Sequence, residues 1–126
     1  MIITQGVYDM KIRKIAELLG AEVVCGEDML DRDVNSACGC DMMSDVLAYV
    51  KDQAVLLTGL CNSQVVRTAV MMDMKCVVFV RSKKPTEDII ELARESGIVV
   101  LTTDLRMYSA CGLLYTNGLQ SGAVAD

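Results

Sequence analysis

"AVLLTGLCNSQVVRTAVMMDMKCVVFV", residues 54–80, begins and ends on a run of apolar residues. Neither Ala54–Thr58 nor Cys76–Val80 alternates polar with apolar. A strand covered on one face alternates; one covered on both faces does not, and parallel sheets are covered on both. Between the runs, Val65, Val66, Ala69 and Val70 share one face of a helix from Asn62 to about Asp73. A third run, Ile98–Leu101, follows a helix over Thr86–Ser96. That helix has Glu87 and Asp88 in its first turn and Gly97 after its last, the polarity the helix dipole favours. The runs start at residues 54, 76 and 98, a constant step of 22. Repeated strand–helix–strand units joined by right-handed crossovers give an α/β fold: a single compact domain with a mainly parallel sheet flanked by helices.

The pattern extends in both directions. Before residue 54, a helix over Asp41–Lys51 would bury Met43, Val46, Leu47 and Val50. After residue 101, Asp104–Tyr115 reads as the last helix, closed by Asn117-Gly118. Nearer the start, Lys11–Leu19 has Ile12, Ile15, Ala16 and Leu19 at helical spacing, with Gly20 as a left-handed stop. Val23-Val24 is a short strand, Glu27–Asp33 an acidic turn, and Val34–Cys38 a further strand weakened by Asn35 and Ser36. The domain is therefore expected over residues 10–119. Met1–Asp9 reads as an N-terminal extension or an edge strand, and residues 120–126 as a flexible tail.

With 126 residues the chain can bury a substantial core. Its net charge of −5 argues against a nucleic-acid backbone as partner, because such binders carry a basic face. It does not argue against a small anion in a local site. No apolar run approaches the roughly 18 residues of a membrane span, so no membrane partner is expected. Met1–Gln5 lacks the basic and apolar regions of a signal peptide. The six cysteines are scattered through apolar segments rather than a loop-rich framework, which fits reduced thiols and a cytoplasmic protein. With no histidine, imidazole bases and Ser-His triads are excluded.

In a parallel sheet the carboxyl ends of the strands share one edge, and ligands bind there. Four corners meet along it: Gly39-Cys40-Asp41, Gly59-Leu60-Cys61-Asn62, Arg81-Ser82-Lys83-Lys84 and Thr102-Thr103-Asp104. Asp41, Asn62 and Asp104 are also good helix caps. They can serve as caps, as part of a polar rim with Thr58, Gly59, Ser82 and Thr103, or as both. Cys38, Cys40 and Cys61 fall near the same edge. Either they hold a metal or cluster, with Asp41 the nearest fourth ligand, or they are ordinary buried thiols; C-x-C is a weak ligand spacing. The basic loop Arg81–Lys84 suits a phosphate or is a solvated surface. Met42-Met43, Met71-Met72 and Met74 are either core or a soft contact face.

Three stretches carry a resemblance: "KIRKIAELLGAEVVCGEDMLDRDV" (residues 11–34), "VLLTG" (residues 55–59) and "VVLTTDLRMYSACGLLYTNGL" (residues 99–119). They resemble the DRTGG domain, which is similar to the N-terminal domain of HPr kinase/phosphorylase and also occurs joined to CBS-domain proteins. The letters of the name fall on Asp31-Arg32 and Thr58-Gly59, with Leu60 in place of the last glycine. The resemblance implies an α/β regulatory module, usually dimeric, with no chemistry of its own. It does not imply a kinase: no G-x4-G-K-[ST] loop is present, and the stretch from Gly20 to Gly26 lacks the lysine and hydroxyl residue that should follow. Asp31 and Arg32 are read either as a buried pair fixing loop geometry or as ligand contacts.

The expected function is thus a non-catalytic regulatory or ligand-sensing homodimer. It would take a small anion or nucleotide at Asp31, Arg32, Asp41, Thr58, Gly59, Asn62, Ser82, Thr103 and Asp104, with no catalytic residue and no cofactor. A protein-interaction scaffold is the alternative, and a Cys38/Cys40/Cys61 metal or redox site a third.

Overall fold

The computed structural model describes residues 9–49 and 53–121. The expected extension at residues 1–8, the end of the residue 41–51 helix and the tail beyond residue 121 lie outside the described residues. The element order is β1 (Met10–Lys11), α1 (Ile12–Leu19), β2 (Glu22–Cys25), β3 (Asp33–Val34), β4 (Ser36–Gly39), α2 (Met43–Tyr49), β5 (Ala54–Thr58), α3 (Ser63–Met71), β6 (Cys76–Phe79), α4 (Glu87–Ser96), β7 (Val99–Thr102) and α5 (Met107–Thr116).

The main sheet has five strands in the order β2-β7-β6-β5-β4. β4, β5, β6 and β7 are parallel neighbours, and β2 joins β7 antiparallel at the edge. The predicted single α/β domain with a mainly parallel sheet is the observed one. The order from β4 to β7 never reverses, so crossovers of one hand lay α2, α3 and α4 on one face. The chain then leaves β7 over the top of the sheet, and α5 packs with α1 on the other face.

The unbroken apolar runs follow from this layering. Val55, Leu57, Val78 and Leu101 pack on Ile12, Ile15, Ala110 and Leu114. Their neighbours Leu56, Val77, Phe79 and Val100 pack on Val46, Val65, Val66, Ala69, Ile89 and Ala93. Side chains alternate across the sheet, but both destinations are apolar. Full burial of one such side chain contributes about 1.5–3 kcal/mol, so the sheet register is set from two sides. Gly20 and Gly97 close α1 and α4 in the left-handed conformation, as their positions suggest.

Several local expectations are corrected. Val34–Cys38 is not one strand. β3 pairs antiparallel with β1, while β4 begins after Asn35 and joins the main sheet. Asn35 donates its N–H to Gln53 O instead of continuing β3. Leu47 and Val70 are exposed rather than buried. On α3 the buried arc includes Thr68, because this helix lies between α2 and α4 and is covered on both flanks. At the open edge of β4, Ala37 N donates to Gln120 O, so the chain still contacts the sheet just past Leu119. No helix among the described residues is long and apolar enough to cross a membrane.

Candidate functional site

The parallel strands deliver their carboxyl ends to one edge. There side chains tie the four corners in two pairs, the β4 corner to the β5 corner and the β6 corner to the β7 corner. Asp41, after β4, accepts from Thr58 Oγ1 at 2.9 Å and from Gly59 N at 2.8 Å, both at the end of β5. Thr58 Oγ1 also accepts from Leu60 N at 3.1 Å. Ser82, after β6, donates from Oγ to Asp104 Oδ1 at 2.8 Å, and its N–H donates to Thr103 O. Thr103 is buried; its hydroxyl donates to Leu19 O at the end of α1 (2.8 Å) and accepts from Leu105 N (3.2 Å).

Two of the three capping expectations therefore fail. Only Asn62 caps its helix, accepting from Val65 N at 3.3 Å. The Asp41 and Asp104 carboxylates reach across to neighbouring corners, and α2 and α5 start at Met43 and Met107, later than the sequence pattern places them. The Gly59 N–H holds the Asp41 carboxyl below its ordinary range, aided by Thr58 and by the nearby charge of Arg81.

Glycine tolerates unusual backbone angles, but the φ of Gly59 is not positive, so the turn does not need a glycine. What needs it is space: a methyl group on Gly59 would overlap Nη2, Cζ and Nε of Arg81, whose guanidinium lies over this residue. Leu60, next to Gly59, packs against the α2/α3/α4 side of the core. The unusual backbone is one corner away, at Arg81 (φ 61°) and Ser82 (φ 62°), neither of them glycine. Their N–H groups are fixed by Leu105 O (2.8 Å) and Thr103 O (3.0 Å).

Asp31 and Arg32 lie elsewhere. Arg32 Nη1 donates to Gly97 O at 3.0 Å, just before β7, at the amino end of the sheet. Asp31 is exposed and pairs with Arg13 Nε at 3.0 Å. The expected buried pair between Asp31 and Arg32 is therefore corrected: each has its own partner. The candidate residues thus divide into a set of seven at the carboxyl edge and these two at the opposite one.

The cysteines are all free. Among the described residues no three Cys, Asp or Glu side chains converge to hold a metal, so Cys38, Cys40 and Cys61 do not form a ligand set. Burial pushes the Cys38 thiol up to about 11, with Cys40 and Cys111 nearby adding to the shift, and burial also raises Cys61. A thiol held protonated is a poor ligand and nucleophile. Gly39 of the C-G-C stretch makes room for a neighbour: a Cβ there would stand 2.5 Å from Cys111 Sγ. A groove of about 270 Å³ between α3 and α4 is lined by Arg67 but also by Asp88, Glu91 and Glu95, so it does not suit an anion.

The DRTGG domain family matches residues 14–116, four-fifths of the chain. The chain belongs to the DRTGG domain family. This DRTGG domain is also similar in fold to part of a crystal structure of the CBS and DRTGG domains from the regulatory region of Clostridium perfringens pyrophosphatase, complexed with its activator, diadenosine tetraphosphate. The identity is 18% and the TM-score 0.69; the match covers 82% of this chain and 45% of that one. The domain thus spans less than half the length of its structural neighbour. No curated protein matches the sequence.

Proposed function

We propose that this DRTGG domain is a non-catalytic regulatory module of the cytoplasm that senses a small anion or nucleotide at the carboxyl edge of its sheet and works as a homodimer. The observation that carries the reading is the linking of the corners in two pairs at one edge, Asp41 with Thr58 and Gly59, and Ser82 with Thr103 and Asp104. A ligand touching one member of a pair would be felt by the other, and at the β6/β7 pair through Thr103 by α1. It could bias the dimer only by binding one arrangement more tightly than another. The pyrophosphatase neighbour, whose regulatory region was crystallised with a nucleotide activator, gives a precedent for the ligand class.

Thermal-shift and titration calorimetry with adenine nucleotides, inorganic phosphates and sugar phosphates test this reading. Saturable binding by one class is expected. Silence from all of them at millimolar concentration would contradict it.

A specific observation also favours the scaffold reading. Met42, Leu47, Val70, Met71 (71% exposed), Tyr108 (91%) and Tyr115 are large apolar or aromatic side chains left in solvent, whereas Met43 and Met74 are core. Such surface suits a partner or a second copy. Light scattering decides: a strict monomer at high concentration would remove the homodimer from either account.

A further inference from the structure

The rim contains two carboxylates and three cationic side chains, and they are not equally engaged. Asp41 is held by Thr58 and Gly59, and Asp104 by Ser82. Lys84 lies 3.9 Å from Glu22. Among the described residues, Arg81 neither forms an ion pair nor donates a side-chain hydrogen bond, although its charge is felt by the Asp41 carboxylate. Its position is nonetheless specified. Arg81 and Ser82 both keep a positive φ, a conformation that is costly for a non-glycine residue and persists only where the surroundings impose it. The guanidinium then lies over the one rim residue without a side chain, Gly59.

We propose that the Arg81 guanidinium, seated over Gly59, is a phosphate-binding group, and that Gly59 is a positioning residue that keeps this seat open. The inference rests on the reading of the rim as a ligand site and narrows it to an oxyanion carried by a nucleotide or present as free polyphosphate. Guanidinium suits such an oxyanion, because it stays charged, is planar, and donates two parallel hydrogen bonds to a phosphate. Arg81 has those donors unclaimed within the described fold. Gly59→Ala separates position from stability. The φ of Gly59 is not positive, and the three atoms nearest an added methyl group all belong to the end of the exposed Arg81 side chain.

The test is titration calorimetry of the full chain with ATP, inorganic tripolyphosphate and adenosine. Wild type is expected to bind ATP and not adenosine. Tripolyphosphate binding as tightly as ATP would identify free polyphosphate as the source, and a preference for ATP would identify a nucleotide; either supports the proposal. Arg81→Gln and Gly59→Ala should each weaken ATP binding about tenfold or more, and Arg81→Lys should restore part of the loss. Circular dichroism and melting curves should show both variants folded. Were Arg81→Gln unstable, Gly59→Ala and the shift of the Arg81 Nε–H resonance on adding ATP to wild type would carry the test. ATP binding to wild type with both variants within twofold would overturn this inference and leave a rim ligand site standing. Adenosine binding as well as ATP would also overturn it. Failure of every phosphate compound to bind wild type would overturn both readings together.

Discussion

Arg32 and Arg81 stand at opposite ends of the same sheet and illustrate its two regions. At the amino end, Arg32 donates to Gly97 O, joining the turn before β3 to the start of β7, and the neighbouring Asp31 pairs with Arg13. That end is stitched closed by ordinary means. At the carboxyl end, the carboxylates and hydroxyls are tied together while the guanidinium of Arg81 remains uncommitted within the described residues. The sequence contains arginine and aspartate at both ends; only the hydrogen-bond partners separate glue from the proposed site.

The contrast can be sharpened by stability measurements, beginning with the most buried link. Thr103→Val removes the donor to Leu19 O and the acceptor of Leu105 N at a site only 4% exposed. Chemical denaturation should show a loss of about 1–3 kcal/mol. Next, Arg32→Ala should lower stability by about 0.5–1.5 kcal/mol through its bond to Gly97 and leave nucleotide binding unchanged. Arg81→Ala should do the reverse, with stability within about 0.5 kcal/mol of wild type. If Arg32→Ala abolished binding while Arg81→Ala did not, the assignment of roles to the two ends would be inverted.

The Asp41 carboxyl gives a pH signature. Its folded pKa is depressed, chiefly by Gly59 N–H. The stability it contributes is therefore present above the ordinary carboxylate value of about 4 and lost as pH falls through the lower folded value. Wild type should exceed Asp41→Asn by a constant margin at neutral pH, and the margin should close below about pH 4 in acid denaturation series. A margin that persisted there would mean the carboxylate charge is not what the loop uses. Smallest of all, Asp31→Ala breaks an exposed pair and should leave the melting temperature close to that of wild type, with any difference shrinking as salt is added.

Fold class was legible because the runs at Ala54, Cys76 and Ile98 are apolar on both faces, and nothing but a doubly covered strand requires that. The convergence of corners follows from parallel strands alone. Element ends were less legible. Asp41 and Asp104 have the chemistry of helix caps, yet tertiary partners one strand away claim their carboxylates. The role of Gly59 was hidden for a similar reason: glycine signals a turn or a close approach, and only the neighbouring corner reveals that an arginine from β6's exit fills the space. Asp31-Arg32 could not be placed from sequence, because the turn carrying them leads into a second, two-stranded pairing instead of the main sheet.

A ¹H–¹⁵N titration of the wild-type domain with ATP, resolved residue by residue, separates the two ends of the sheet in one experiment. The amides of Gly59, Arg81, Ser82 and Thr103 should move together with one saturation curve while those of Asp31, Arg32 and Gly97 stay in place. Shifts confined to the Arg32–Gly97 end, or a spectrum that does not change at millimolar nucleotide, would contradict a ligand site at the carboxyl edge.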